Sequence, residues 1–319
     1  MEADVEAGTQ ATGGWLLSGG SGLLGTALAR SLAAAGTGYI RLIRGLDARP
    51  DELSWRPGAA ASGSNPVSEP ARLEGLRAAV HLSGANIGGR RWTASYRREL
   101  IASRVETTAA LSRALAGLRQ PPHVLVVASA VGMYGSRGDE LLAEDASAGT
   151  GFLAGLCQQW EAAAEPARAA GIRVVHARLG VILAPEGGAL ARMLPPFRLG
   201  LGGRLGDGRQ WMSWVALEDA VRAIRFAVDK PELAGGVNVV APEPVTNRVF
   251  TAELAAALGR PAVFPAPAPL LRLAFGQMAE ETLLASQRAV PERLVAAGFR
   301  FARPTVRQAL DAALSRQNR

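Results

Sequence analysis

The sequence predicts an α/β fold, a doubly wound parallel sheet with a small C-terminal lobe on the substrate side, and three observations predict it. Short apolar runs alternate with helical stretches up to residue 183, and strands that are almost continuously apolar belong to a parallel sheet covered on both faces. A glycine-rich turn stands directly between the first of these strands and the first helix. After residue 184 the texture changes to glycine- and proline-punctuated chain.

The elements follow in order. Trp15–Ser18 is a short apolar strand, and Gly19–Gly25 is the glycine turn. Thr26–Ala35 reads as a helix with its apolar face on Leu28, Leu32 and Ala35, stopped by Gly36. Further strands are expected over Tyr39–Arg44, Ala78–Ser83, Val124–Ser129 and Arg173–Leu183. Helices fall between them, over Ala94–Leu118 and Phe152–Ala170. Gly236–Val240 is one more strand, open to the main sheet or to the lobe, and two helical segments follow around Pro269–Ser286 and Thr305–Arg316. The expected organisation is a leader over residues 1–13, a Rossmann-type domain over 14–240 in which 184–215 serves the substrate side, and a small C-terminal domain over 241–319.

Composition narrows the function classes. With 48% hydrophobic and 20% charged residues, 319 residues can bury an ordinary core. No apolar run approaches the ~20 residues of a bilayer span, and residues 1–13 lack the basic start and apolar block of a secretory signal. Cys157 is the only cysteine, which excludes an internal disulfide and a cysteine-built metal site; no metal is expected, and a cytoplasmic setting fits. The net charge of +7 comes from arginines scattered singly or in pairs, with Lys230 the only lysine, so neither a nucleic-acid nor a membrane partner is expected. The expected partner is a small molecule, and the chain is expected to be a monomer or a homodimer.

The turn carries the first functional signal. In Gly19-Gly20-Ser21-Gly22-Leu23-Leu24-Gly25 the first glycine makes the tight turn, Gly22 admits a pyrophosphate to the backbone, and Gly25 lets helix and strand pack closely. The helix start then offers free N–H groups and a positive dipole end to the phosphates. At the end of the second strand, where an NAD site carries an acid for the ribose 2′-hydroxyl, this chain has Ile43-Arg44 and no acid before Asp47. A guanidinium there suits a 2′-phosphate, so the cofactor read from the residues is NADP(H).

Three segments, Gly19–Gly25, Val80–Ala85 and Ser129–Gly135, fall in the order and spacing of the extended short-chain dehydrogenase/reductases. Arg91-Trp92, Ser103–Thr108, Phe152-Leu153-Ala154 with Trp160-Glu161, Arg178–Val181, Pro196–Gly200, Gly206–Trp214 and Pro291–Phe301 narrow this. Over residues 14–315 the chain resembles the atypical branch known as epimerase family proteins, within the NAD-dependent epimerase/dehydratase superfamily. The resemblance implies NADP binding, an extended Rossmann domain and a substrate-side C-terminal domain, and brings no substrate with it. It places the dinucleotide on Gly19, Gly20, Ser21, Gly22, Leu23, Leu24 and Gly25, its 2′-phosphate at Ile43 and Arg44, and its adenosine side past Leu82, Ser83 and Gly84. It borders the same groove with Glu99 and Arg104, for which a solvated helix face is the alternative, and faces Val181 to the nicotinamide half.

The superfamily's Ser-Tyr-Lys machinery is missing. Lys230 is preceded four residues earlier by Phe226, so no Tyr-x-x-x-Lys exists in the chain. By the resemblance, Phe152, Leu156 and Ala130 stand where the tyrosine, lysine and serine would be. Tyr134 is the one tyrosine near the expected pocket, either a catalytic acid or a packing and cofactor-lining residue, and Ser129, its nearest hydroxyl, is the second catalytic candidate and is also expected to touch the cofactor. Arg178, Gln210, Trp211 and Trp214 fall where extended members line the substrate site, a mix that suits a polar ligand, anionic or sugar-like. His81, His123 and His176 read as structural histidines. The alternative class to an enzyme is a non-catalytic NADP(H)-binding redox sensor or assembly factor.

Overall fold

A computed structural model describes residues 13–45 and 47–315. The leader expected over 1–13 therefore lies, apart from Gly13, outside the described residues, as does the end of the last expected helix at Arg316. The main sheet has seven strands: β1 (Trp15–Ser18), β2 (Tyr39–Ile43), β3 (Glu52–Ser54), β4 (Ala78–His81), β5 (Val124–Ala130), β6 (Arg173–Leu179) and β7 (Gly235–Val239). They run in the order β7-β6-β5-β4-β1-β2-β3, all parallel. The chain leaves β1 toward β2 on one side and later returns to β4 on the other, so the order reverses at β1. In such sheets ligands bind beyond the carboxyl ends of the strands at that reversal.

Helices cover both faces, as the uninterrupted apolar strands require. On one face α1 (Leu23–Ala34) and α7 (Leu217–Asp229) bury Leu28, Leu32, Val221 and Ile224 against Leu17, Val80, Val126 and Val175. On the other, α3 (Thr107–Ala116), α4 (Phe152–Ala162) and α5 (Glu165–Ala169) bury Leu111, Leu115, Trp160 and Ala167 against Leu16, Ala79, Leu125 and Val174. The alternation of neighbours along each strand between these two clusters is the period-two geometry of a pleated sheet.

Several boundaries differ from those read in the sequence, each for a local reason. α1 begins at Leu23, because Gly22 is its extended N-cap and the last three residues of the turn, Leu23 to Gly25, already have helical backbone. Pro166, in the first turn of α5, removes an N–H and crowds the carbonyl four residues earlier, so the expected helix over 152–170 is two. The helix expected over 94–118 runs from α2 (Ala94–Ile101) to α3 through a π-bulge at Ala102–Glu106. The strand expected over 173–183 ends at Leu179, and Val181–Leu183 pairs instead with Trp214–Ala216 in a separate ladder. The prolines at 195 and 196 do not prevent α6 (Gly188–Arg198), since they sit in its last turns and Leu190, Leu194 and Phe197 supply a buried stripe.

The C-terminal lobe has its own apolar cluster. Leu183, Leu190, Leu194, Phe197 and Trp214 join Phe250 and Leu254 of α8 (Asn247–Leu258) and Val306 and Leu310 of α10 (Val306–Ser315), drawing on chain from both sides of residue 240. Asp219 fastens the last segment to α7. Its buried carboxylate accepts from the backbone N–H groups of Ala302 and Arg303, at 2.8 Å each, and from Arg222 at 2.7 Å. Among the described residues no helix is long and apolar enough to cross a membrane.

Candidate dinucleotide-binding site

The turn after β1 is built by close backbone approach. Gly19 has φ +78° and lies so near the β4 loop that a Cβ there would stand 2.6 Å from the Leu82 carbonyl carbon. A Cβ on Gly25 would meet Gly20 Cα at 2.8 Å and the Gly19 carbonyl closer still. Gly25 thus seats α1 against the turn, the close packing that such a glycine provides. Gly22 caps α1 without a side-chain hydrogen bond, and Ser21 and Gly22 are exposed with Leu23 half-buried. The cap of this twelve-residue helix thus lies at the surface, and no side chain competes for its first N–H groups.

An open cleft of about 800 Å³ begins at Ser21–Leu23 and runs along Thr26 and Arg30 of α1, closed opposite by Glu186–Gly188 and by Leu217 and Val221 of α7. Asn86 also borders it. Arg192 of α6 donates to the Gly88 carbonyl, tying the loop after β4 to the lobe beside this cleft. None of Asn86, Glu186 or Arg192 was visible as a site residue in the sequence, because loop-to-loop contacts leave no periodic signal.

At the end of β2, Ile43 is half-buried and Arg44 exposed, and Arg44 forms no ion pair among the described residues. The neighbouring cation is committed elsewhere: Arg41 packs along Gly20 and pairs with Glu52 at 2.7 Å and Asp51 at 3.3 Å. Beside the turn, Ser83 shares a 2.7 Å hydrogen bond with Ser18, and Leu82 N donates to the Ser18 carbonyl. The loop is held from behind by the π-bulge. Ser103 Oγ accepts from Ala85 N at 3.0 Å while Arg104 Nη2 donates to Ala85 O at 2.8 Å.

Arg104 is buried in that role, with its guanidinium 5.1 Å from the Trp160 ring. Burial pulls its pKa below the usual arginine value. It acts on the groove through the Gly84-Ala85 loop rather than as a groove-lining cation. Glu99 is exposed, 3.5 Å from the still more exposed Arg90, a solvated pair. Val181 is half-buried at the start of the short ladder beyond β6.

The expected catalytic and substrate residues lie largely inside the protein. Tyr134 is fully buried: its hydroxyl donates to Asn238 Oδ1 at 2.7 Å and accepts from Arg178 Nη1 at 3.0 Å. Burial raises its pKa, more than the nearby Arg178 lowers it. A hydroxyl so placed offers no proton to a groove, which corrects the catalytic reading of Tyr134. Ser129 is likewise buried and donates to Glu161 at 2.7 Å. Glu161 holds Arg178 through both carboxylate oxygens, at 2.9 and 3.0 Å, and Arg178 Nη1 also reaches the Glu144 carbonyl. Burial opposes the Arg178 charge, and the bonds to Glu161 outweigh it, holding its pKa above the ordinary arginine value. These residues are one internal polar network linking β5, β6, β7 and α4.

The other substrate-side expectations are corrected in the same way. Gln210 is buried, its amide donating to the carbonyls of Leu205 and Leu283. Trp214 is fully buried in the lobe core and donates to Glu243 O. Only Trp211 stays partly open, donating to Asp139 and lying 4.2 Å beneath the Arg288 guanidinium.

Phe152, at the tyrosine position of the resemblance, makes an edge contact with Trp92 at 5.1 Å, with Arg97 5.5 Å above its ring. Leu156 is buried with Trp92, Tyr96 and Met278. Glu281, from the C-terminal lobe, caps α4 by accepting from the N–H groups of Phe152 at 3.0 Å and Leu153 at 2.7 Å. Sequence reading missed Glu281; a carboxylate at a helix start is favourable, but one arriving from 129 positions away has no local signature.

Comparison with known proteins places this arrangement. The profile of the NAD dependent epimerase/dehydratase family matches residues 15–241, and a domain of unknown function, DUF1731, matches 266–313. An epimerase family protein of Mycobacterium tuberculosis is 46% identical over 94% of this chain and 97% of its own length. Human epimerase family protein SDR39U1 is 36% identical over 92% of this chain and 97% of its own length. The crystal structure of human SDR39U1 isoform 2 with NADPH superposes with a TM-score of 0.84 at 33% identity, covering 94% of this chain and 99% of that one.

Proposed function

The chain belongs to the NAD dependent epimerase/dehydratase family as an epimerase family protein, and from this we propose that it binds NADP(H) and acts as an oxidoreductase or epimerase-like enzyme without a Tyr-Lys acid/base pair. The observation that carries the cofactor is the pairing of an uncapped, exposed start of α1 with a free, exposed Arg44 at the end of β2. The NADPH in the human relative's structure supports the same reading.

The residues fit the group in kind. The N–H groups of Leu23 and Leu24 suit a pyrophosphate, while Gly22 N donates to Gly19 O within the turn and the Gly19 contact keeps that backbone close to the β4 loop. Arg44 suits the 2′-phosphate, Ser83 and Gly84 line the adenosine side, and Val181 the nicotinamide half. NADPH supplies a hydride when bound. Around the position of the family's tyrosine this chain presents Phe152, Leu156 and Ala130, none of which can hold a proton. The protein's part is then to bind and orient, and a small-molecule substrate reduced there takes its proton from water or from its own acidic group.

A second reading, a non-catalytic NADP(H) sensor or assembly factor, is favoured by the burial of Tyr134. Titration with NADPH and NADH, followed by cofactor fluorescence, tests the first claim. NADPH is expected to bind more tightly, and Arg44→Asp to weaken NADPH about tenfold or more while leaving NADH nearly unchanged. Equal affinities, or no binding, refute it. NADPH bound tightly yet never oxidised by a panel of carbonyl, enone and quinone acceptors would favour the sensor.

A further inference from the structure

We propose that the C-terminal lobe docks on an anionic membrane surface through an exposed apolar patch set among arginines. Two segments build it. The chain after α6 exposes Leu199 at 74% and Leu201 at 57%, and the chain after α8 exposes Val263 at 66% and Phe264 at 57%. They are joined edge to edge: Phe264 N donates to Gly202 O at 3.1 Å, and Ala266 N to Arg204 O at 2.8 Å. The second segment runs directly into α9 (Ala268–Phe275), whose one buried residue, Leu271, turns Leu270 (58%) and Leu273 (73%) outward. Six large apolar side chains standing in solvent on adjoining segments are more than the scattered exposure usual on a monomer.

The charges around them choose the occupant. Arg204, Arg260 and Arg272 lie within these segments or at their ends, while residues 198–206 and 260–279 contain no Asp or Glu and Asp207 follows the first stretch. Arg272 is shared with Glu280, the first acid beyond. A second copy docked through the same patch would set these arginines against their own counterparts, since a two-fold contact pairs a surface with itself. A lipid surface meets both features together: leucine and phenylalanine enter the acyl boundary while guanidinium groups meet phosphates. Spanning is not involved, and the docking does not depend on the proposed enzymatic function.

The test is co-sedimentation of the full chain with phosphatidylcholine vesicles made with and without phosphatidylglycerol. Binding is expected to the anionic vesicles, and to weaken with salt. Leu270→Glu with Leu273→Glu should lower the vesicle partition coefficient roughly tenfold per leucine. Arg204→Gln with Arg260→Gln should lower it and flatten the salt dependence. All these side chains are exposed, so thermal unfolding of each variant should match the parent. The proposal is overturned by failure to bind any vesicle, or by binding that survives the leucine changes. It is equally overturned if the parent self-associates in solution and the leucine changes make it monomeric, which would assign the patch to a second copy.

Discussion

Removing the Glu161 carboxylate should cost far more stability than its single place in the sequence implies. Its side chain is 13% exposed and the Arg178 side chain 12%, so the pair is nearly desolvated. Two of the Arg178 nitrogens are satisfied by Glu161 alone, and Ser129 loses its acceptor at the same time. Glu161→Ala therefore strands a buried cation and a buried hydroxyl, and the expected loss is about 3–5 kcal/mol. Urea unfolding at unchanged m-value measures it. Glu161→Gln should lose less, because an amide still accepts from one nitrogen. The double change Glu161→Ala with Arg178→Met should recover much of the loss, since the stranded charge is gone. A Glu161→Ala cost below about 1 kcal/mol would refute the reasoning, because that is the scale of an exposed ion pair.

Three further outcomes are expected. Burial lowers the His81 pKa to about 4, its Nδ1 has no partner, and Nε2 meets Thr107 at 3.2 Å. The unfolded chain takes up that proton below pH ~6.5 while the folded protein does not, so stability is full above that pH and falls as pH drops toward 4, by roughly 3 kcal/mol. Thermal unfolding of His81→Leu should show a visibly shallower acid slope, and an unchanged slope would reject the assignment. Gly25→Ala forces a Cβ into the Gly19-Gly20 backbone, so it should destabilise by about 1–3 kcal/mol and abolish NADPH fluorescence enhancement; a variant that binds normally would reject the close-packing role. Tyr134→Phe leaves Asn238 Oδ1 without its donor, so it should cost about 1–3 kcal/mol in urea unfolding while NADPH affinity stays within a factor of two or so.

What the sequence made legible follows physical range. The strands Trp15–Ser18, Ala78–His81 and Val124–Ala130 are continuous apolar runs because helices cover both their faces, and such runs need no partner to be recognised. The glycine turn was legible because its backbone constraint falls within seven consecutive residues. β3 was not, since three residues held at a sheet edge by the Arg41–Glu52 pair carry too short a pattern. The helix α7 was passed over although its apolar residues recur at helical spacing, and the acids at its start, Glu218 and Asp219, were an available signal.

The site shows where residue type misleads. Arg178, Tyr134, Gln210 and Trp214 have the polar and aromatic chemistry of a ligand pocket, and spacing alone cannot tell a side chain facing a groove from one facing the interior. Their partners decide it, and these partners are distant in sequence: Tyr134 meets Asn238, 104 positions on, and Gln210 meets Leu283, 73 positions on. Glu161, Arg178, Tyr134, Asn238 and Glu144 fasten the ends of β5, β6 and β7 to one another and to the chain near Val290 and Arg293. This chain places that bracing under the carboxyl edge of the sheet, while Phe152 and Leu156 pack with Trp92 and Met278 in an apolar cluster. A rigid floor with an apolar wall can orient a cofactor and a substrate. On the proposed enzymatic reading Phe152 and Leu156 lend neither a proton, so a substrate would be one reducible or oxidisable without a proton from those two side chains.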